Sequence, residues 1–134
     1  MNCLCCGKPL RIPEETGWHK ACVKRFFGTT NLPEIEIDDN TLNLLAAETI
    51  NRGFTVPGVQ KKLSLHLVSD SSKPRLTLVN YPTCYILKPQ VAELEALPES
   101  EQLIMTMADM AGISTVPHSL IKGKTGLAYI TMRV

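Results

Sequence analysis

The stretch "TCYILKPQVAELEALPESEQLIMTMADMAG", residues 83–112, decides how the rest of the chain is read. Its first part, Cys84 to Lys88, is an apolar strand-forming run that Pro89 stops. Cys84, inside that run, is expected to be a core residue. The second part places Leu103, Ile104, Met107, Met110 and Ala111 on one helical stripe and ends at Gly112, which predicts a helix within residues 98–112. The stripe is read as facing the core, with its methionines as filler.

Strands flank this unit on both sides. In "KKLSLHLVS", Leu63, Leu65 and Leu67 alternate with Ser64 and His66, so the segment reads as a half-buried strand with His66 toward solvent. "SDSSKP" is a turn and "RLTLV" a second strand, so the strand ending at Lys88 is the third of an antiparallel meander. After the helix, "STVPHSLI" and "GLAYITM" read as two more strands around the turn "KGKTG". The expected class is α+β, an antiparallel sheet with a packed helix. Upstream, "TTNLPEIEIDDN" reads as an acidic link, and "NTLNLLAAETINRG" predicts a helix that stops at Gly53.

Composition excludes several classes of function. With 14 basic and 13 acidic residues the net charge is +1, so no strong field points to nucleic acid or to a membrane surface. No apolar run reaches the roughly 18 residues of a membrane span, and the N-terminus lacks the apolar core of a secretory signal. The chain is therefore expected in the cytoplasm, where clustered cysteines bind metal or do redox chemistry more often than they form disulfides.

Four of the five cysteines lie in "MNCLCCGKPLRIPEETGWHKACVKRFFG", residues 1–28. Two residues separate Cys3 from Cys6, a spacing that lets one tight turn present both sulfurs to one ion. After twelve intervening residues come His19 and Cys22, three apart and so on one face if the segment is helical. Cys3, Cys6, His19 and Cys22 are the expected ligands of a structural zinc ion, closed to substrate because all four positions are filled. Cys5 is left as a spare thiol. The basic residues nearby have only Trp18 as an aromatic platform, which does not suit a nucleic-acid surface.

Three strands, a helix and two strands is the arrangement of a protein-kinase-like N-terminal lobe. "TVPGVQKKLSL", "YILKP", "LPESEQLIMTMADMAGISTVPHSLI" and "LAYITMRV" resemble, in sequence and order, the HipA-like serine/threonine kinases of toxin-antitoxin systems. The cysteine-rich start resembles the zinc-binding leader of some members. The resemblance implies a leader over 1–30, a linker and helix over 31–52, and a kinase N-lobe over 53–134. It implies that Gly58, Val59 and Gln60 belong to the loop over the nucleotide phosphates, that Lys88 is the nucleotide lysine and Glu101 the helix acid, and that Arg133 begins the hinge beside adenine.

Thr55 stands where the family often carries an autophosphorylated serine, and Pro57 replaces a smaller residue. The acceptor-orienting and magnesium-binding groups belong to a C-terminal lobe that these residues do not include. The expectation is thus a truncated or split kinase lobe, silent alone. ATP and Mg²⁺ would bind only with a C-lobe polypeptide supplied in trans, and a HipB-like antitoxin is the other implied partner. The alternative is a stand-alone zinc-stapled interaction module that regulates a kinase or antitoxin.

Overall fold

The computed structural model describes residues 1–11, 16–35, 62–69, 73–79, 83–90, 95–123 and 126–132. The linker helix expected from "NTLNLLAAETINRG" lies outside them. Helix α1, Lys20–Phe27, ends at Gly28, whose φ of 75° lets its N–H reach back to the Lys24 carbonyl. Lys24 and Arg25 in its last turn suit the negative end of the helix dipole.

Among the described residues six strands follow: β1 Glu34–Ile35, β2 Leu63–Val68, β3 Arg75–Val79, β4 Tyr85–Pro89, β5 His118–Lys122 and β6 Leu127–Met132. Helix α2, Leu97–Met110, connects β4 to β5 and has a proline in its first turn. They form one sheet in the order β1-β3-β2-β4-β6-β5.

Two details differ from the sequence reading. The sheet is mixed, because the two-residue β1 runs parallel to β3 with Ile35 opposite Leu76. The first three long strands are not a meander. β4 pairs with β2, setting Leu63 against Leu87 and Leu65 against Tyr85, while the far edge of β3 takes β1. β2 is thereby a central strand, which suits its buried Leu63 and Leu65, and His66 faces solvent as expected.

Side chains alternate across a strand, so the two faces of the sheet can be assigned. Leu65, Leu76, Tyr85, Leu87, Ile121, Ala128 and Ile130 share one buried cluster with Trp18, Val23, Phe26 and Phe27 of the N-terminal segment. The opposite face, which carries Lys88, Tyr129, Thr131 and His118, meets α2 through β5 and β6. The N-terminal segment therefore packs directly on the sheet. Trp18 is fully buried and donates its indole N–H to the Leu120 carbonyl at 3.1 Å. Tyr85 stacks near Phe26 and Phe27 and donates its hydroxyl to the Phe26 carbonyl at 3.1 Å. Tyr85→Phe should lower stability by about 1–2 kcal/mol in urea unfolding, since it removes this buried bond and leaves the ring packing intact.

The orientation of α2 reverses the expectation. Leu103, Ile104, Met107 and Met110 are 61, 64, 59 and 84% exposed, whereas Pro98 and Gln102 are buried. The cause is the polar sheet face beneath the helix. Lys88 and His118 need partners there, and the stripe bearing Glu101, Gln102 and Asp109 supplies them where apolar side chains could not. Cys84, expected in the core, is exposed just ahead of β4.

Candidate metal centre and ion-pair site

A turn and the start of a helix build the first site. The turn is set by Cys3 N–H to Lys8 carbonyl and Gly7 N–H to Cys3 carbonyl bonds, with Gly7 at a φ of 77°. That geometry presents Cys3 and Cys6. His19 stands at the N-cap of α1 and Cys22 lies in its first turn. One ligand atom from each of the four lies within 4.8 Å of the others, an arrangement that can hold a metal ion. His19 Nδ1 is 3.3 Å from Cys6 Sγ and 3.8 Å from Cys22 Sγ. A tetrahedral ion with metal–sulfur bonds of about 2.3 Å and metal–nitrogen bonds of about 2.0 Å sets its ligands roughly 3.5–3.8 Å apart.

The surroundings favour metal binding. His19 Nε2 faces the Pro9 carbonyl at 3.1 Å, and a proton donated there leaves the Nδ1 lone pair turned toward the sulfurs. The His19 backbone N–H donates to Cys3 Sγ at 3.4 Å, and Arg25 Nη2 donates to Cys22 Sγ at 3.6 Å. Burial pushes the Cys3 thiol up, but the backbone amides of Cys6, His19 and Cys5 outweigh it and bring it to about 7. Cys22 is pushed up to about 12 by burial and then by the charge of Cys3. Sulfurs this close oppose one another's ionisation, and a cation among them removes that opposition. Cys5 stands outside the group of four, with its thiol raised mainly by burial.

The second site lies between the sheet and α2. Lys88 Nζ meets Glu101 Oε1 at 2.5 Å, with both side chains about four-fifths buried at 18 and 21% exposure. The ammonium also lies 5.5 Å from the centre of the Tyr129 ring. Burial, and next the Glu101 charge, push the Tyr129 hydroxyl up to about 12.

No known protein-family profile matches the chain. No curated protein is significantly similar to it in sequence.

Beside the ion pair is a cluster that the sequence reading missed. His118 Nδ1 is 2.8 Å from Gln102 Oε1, and Nε2 is 2.7 Å from Asp109 Oδ2. Thr115 donates to the other Asp109 oxygen, and this bond, followed by the one from His118, holds the Asp109 carboxyl below the usual range. The available signal was the second stripe of α2, where Glu101, Gln102 and Asp109 recur at helical spacing opposite the apolar one. Arg25 was also missed as a donor to sulfur. The structure thus brings together Cys3, Cys6, His19 and Cys22, and separately Lys88 and Glu101. Thr55, Gly58, Val59, Gln60 and Arg133 lie outside the described residues. No described helix is long and apolar enough to cross a membrane.

Proposed function

We propose that the chain is the zinc-stapled, nucleotide-binding N-terminal lobe of a HipA-like serine/threonine kinase of the toxin-antitoxin type. The observation that carries this reading is the Lys88–Glu101 pair. Protein kinases require a strand lysine held by an acid on the following helix, so that the ammonium stays aimed at the nucleotide phosphates. Here the lysine is on β4, third of the run β2 to β4, and the acid is on the next element, α2. A pair this buried recovers its desolvation cost poorly as a stability device, which favours a functional reason for keeping it.

Thr55, Gly58, Val59, Gln60 and Arg133 keep the roles that the resemblance implies for them, as phosphorylation site, phosphate loop and hinge. The ion at Cys3, Cys6, His19 and Cys22 would be Zn²⁺, since three thiolates and an imidazole in four-coordinate geometry suit it. Zinc there would cross-link the N-terminal turn to α1, with no position left for substrate. Metal-binding thiols fit a reducing cytoplasm.

In this reading ATP and Mg²⁺ bind in a cleft completed by a C-terminal lobe, which carries the aspartate that accepts the substrate hydroxyl proton. The 134 residues alone should therefore transfer no labelled phosphate, and mixing them with the C-lobe of a HipA-like kinase should restore transfer. Labelling of Thr55 or of an added protein by the purified chain alone would overturn the proposal. The rival reading, an interaction module that regulates a kinase or antitoxin, draws its support from the outward apolar side of α2.

A further inference from the structure

α2 cannot roll to bury its apolar side. Rotation would pull Glu101 from Lys88 and Gln102 and Asp109 from His118, leaving charges and polar groups unpaired at the sheet. Leu103, Ile104, Met107 and Met110 are therefore held outward, and Ile113 in the helix exit extends the strip at 61% exposure. Contiguous exposed apolar surface of this kind marks an interaction site. The spacing i, i+4, i+7 of Leu103, Met107 and Met110 is that of a helix seam, and methionine adapts to varied partners.

Charge selects the partner. α2 contains Glu99, Glu101 and Asp109 and no basic residue. Glu101 is engaged by Lys88 and Asp109 by His118, whereas Glu95 and Glu99 have no ion-pair partner among the described residues. Glu99 lies one turn ahead of Leu103 on the same side, so the strip ends in acid. Pairing of α2 with the α2 of a second copy would answer this badly, because that helix offers the same acids and no cation.

We propose that the outward face of α2 docks an amphipathic helix of another protein, antiparallel to α2, with apolar residues at i, i+3, i+4 and i+7. Lysine or arginine in that helix's last turn would lie opposite Glu95 and Glu99, where the two helix dipoles are also complementary. The inference rests on this face alone and is independent of the nucleotide reading.

Two synthetic helical peptides test it on the full chain. One has leucines at those spacings and lysines in its last turn; the other has glutamates in place of the lysines. By fluorescence anisotropy the lysine peptide should bind about three- to tenfold more tightly, an advantage lost in 1 M salt. Glu99→Gln should remove most of that advantage, and Met107→Glu should abolish binding without moving the unfolding midpoint. Binding by neither peptide, or by both equally, overturns the proposal. So does a dimer in sedimentation that Met107→Glu dissociates, which would make the occupant a second copy. A lowered midpoint for Met107→Glu would show that the chain covers the face itself, and would also overturn it.

Discussion

Chelation of the metal should abolish the cooperative fold of the N-terminal segment and loosen the sheet beneath it. Zinc contributes an apparent ~10–16 kcal/mol in small zinc-binding peptides near pH 7, as much as the whole stability of a typical domain. The expectation is larger than a local one, because this segment provides six of the fifteen described buried residues of the common core. Trp18, Phe26 and Phe27 share one buried cluster with Leu65, Leu76 and Leu87, and the Leu4 carbonyl accepts bonds from the Leu120 N–H and the Ser119 hydroxyl. Loss of such an ion would free Cys3 and Cys6 from α1, and the turn that carries Leu4 should then leave the edge of β5. Trp18, the only tryptophan and fully buried, reports this directly.

Purified protein should carry about one zinc per chain, and a chelator should shift the Trp18 emission to the red. Cys6→Ser should reproduce the shift without chelator. Thiolates and neutral imidazole bind the ion, so protons compete with it and the metal should be lost as pH falls. Protein isolated without chelator that carries no zinc, or Trp18 emission indifferent to chelation, would refute the assignment.

The grouping of Cys3, Cys6, His19 and Cys22, which could hold a metal ion, was legible in sequence because its members come from two short segments with fixed local geometry. A Cys3–Cys6 turn and a His19–Cys22 helical pair leave little freedom, and the structure joins the two halves. Strand β2 was legible for the same kind of reason, since a period of two over Leu63, Leu65 and Leu67 has one reading. The helix α2 was also found, but its direction was not. Periodicity shows that a helix has an apolar side; it does not show whether the cover comes from the same chain.

What turned α2 was a set of distant polar partners. His118 lies 16 residues from Gln102 and 9 from Asp109, separations at which no local pattern operates. The pairing of β4 with β2 and the two-residue β1 were hidden likewise, because each depends on sheet order, and Cys84 stands ahead of β4 rather than within it. Lys88 and Glu101 could be paired beforehand only through the family resemblance; they lie 13 positions apart, with α2 beginning in between.

Lys88→Met should remove phosphotransfer from the chain assembled with a kinase C-lobe, for a reason separable from its effect on the fold. If Lys88 contacts nucleotide phosphates, each charge-assisted bond lost is worth roughly 1.5–3 kcal/mol, so nucleotide binding should weaken by about tenfold or more. The same substitution leaves Glu101 facing the sheet without its ammonium at 2.5 Å. Breaking a fully buried pair costs about 3–5 kcal/mol, and with both side chains near one-fifth exposed a loss of about 1–3 kcal/mol is expected. Replacing both partners, as Lys88→Met with Glu101→Gln, should return most of that stability, because no charge is then left alone. It should return none of the transfer. Unfolding midpoints and phosphotransfer rates for wild type, both single variants and the double variant therefore form a cycle with two distinct signatures. Transfer that recovers along with stability would reduce Lys88 to a structural residue, and transfer that is unaffected by Lys88→Met would remove the nucleotide-binding reading altogether.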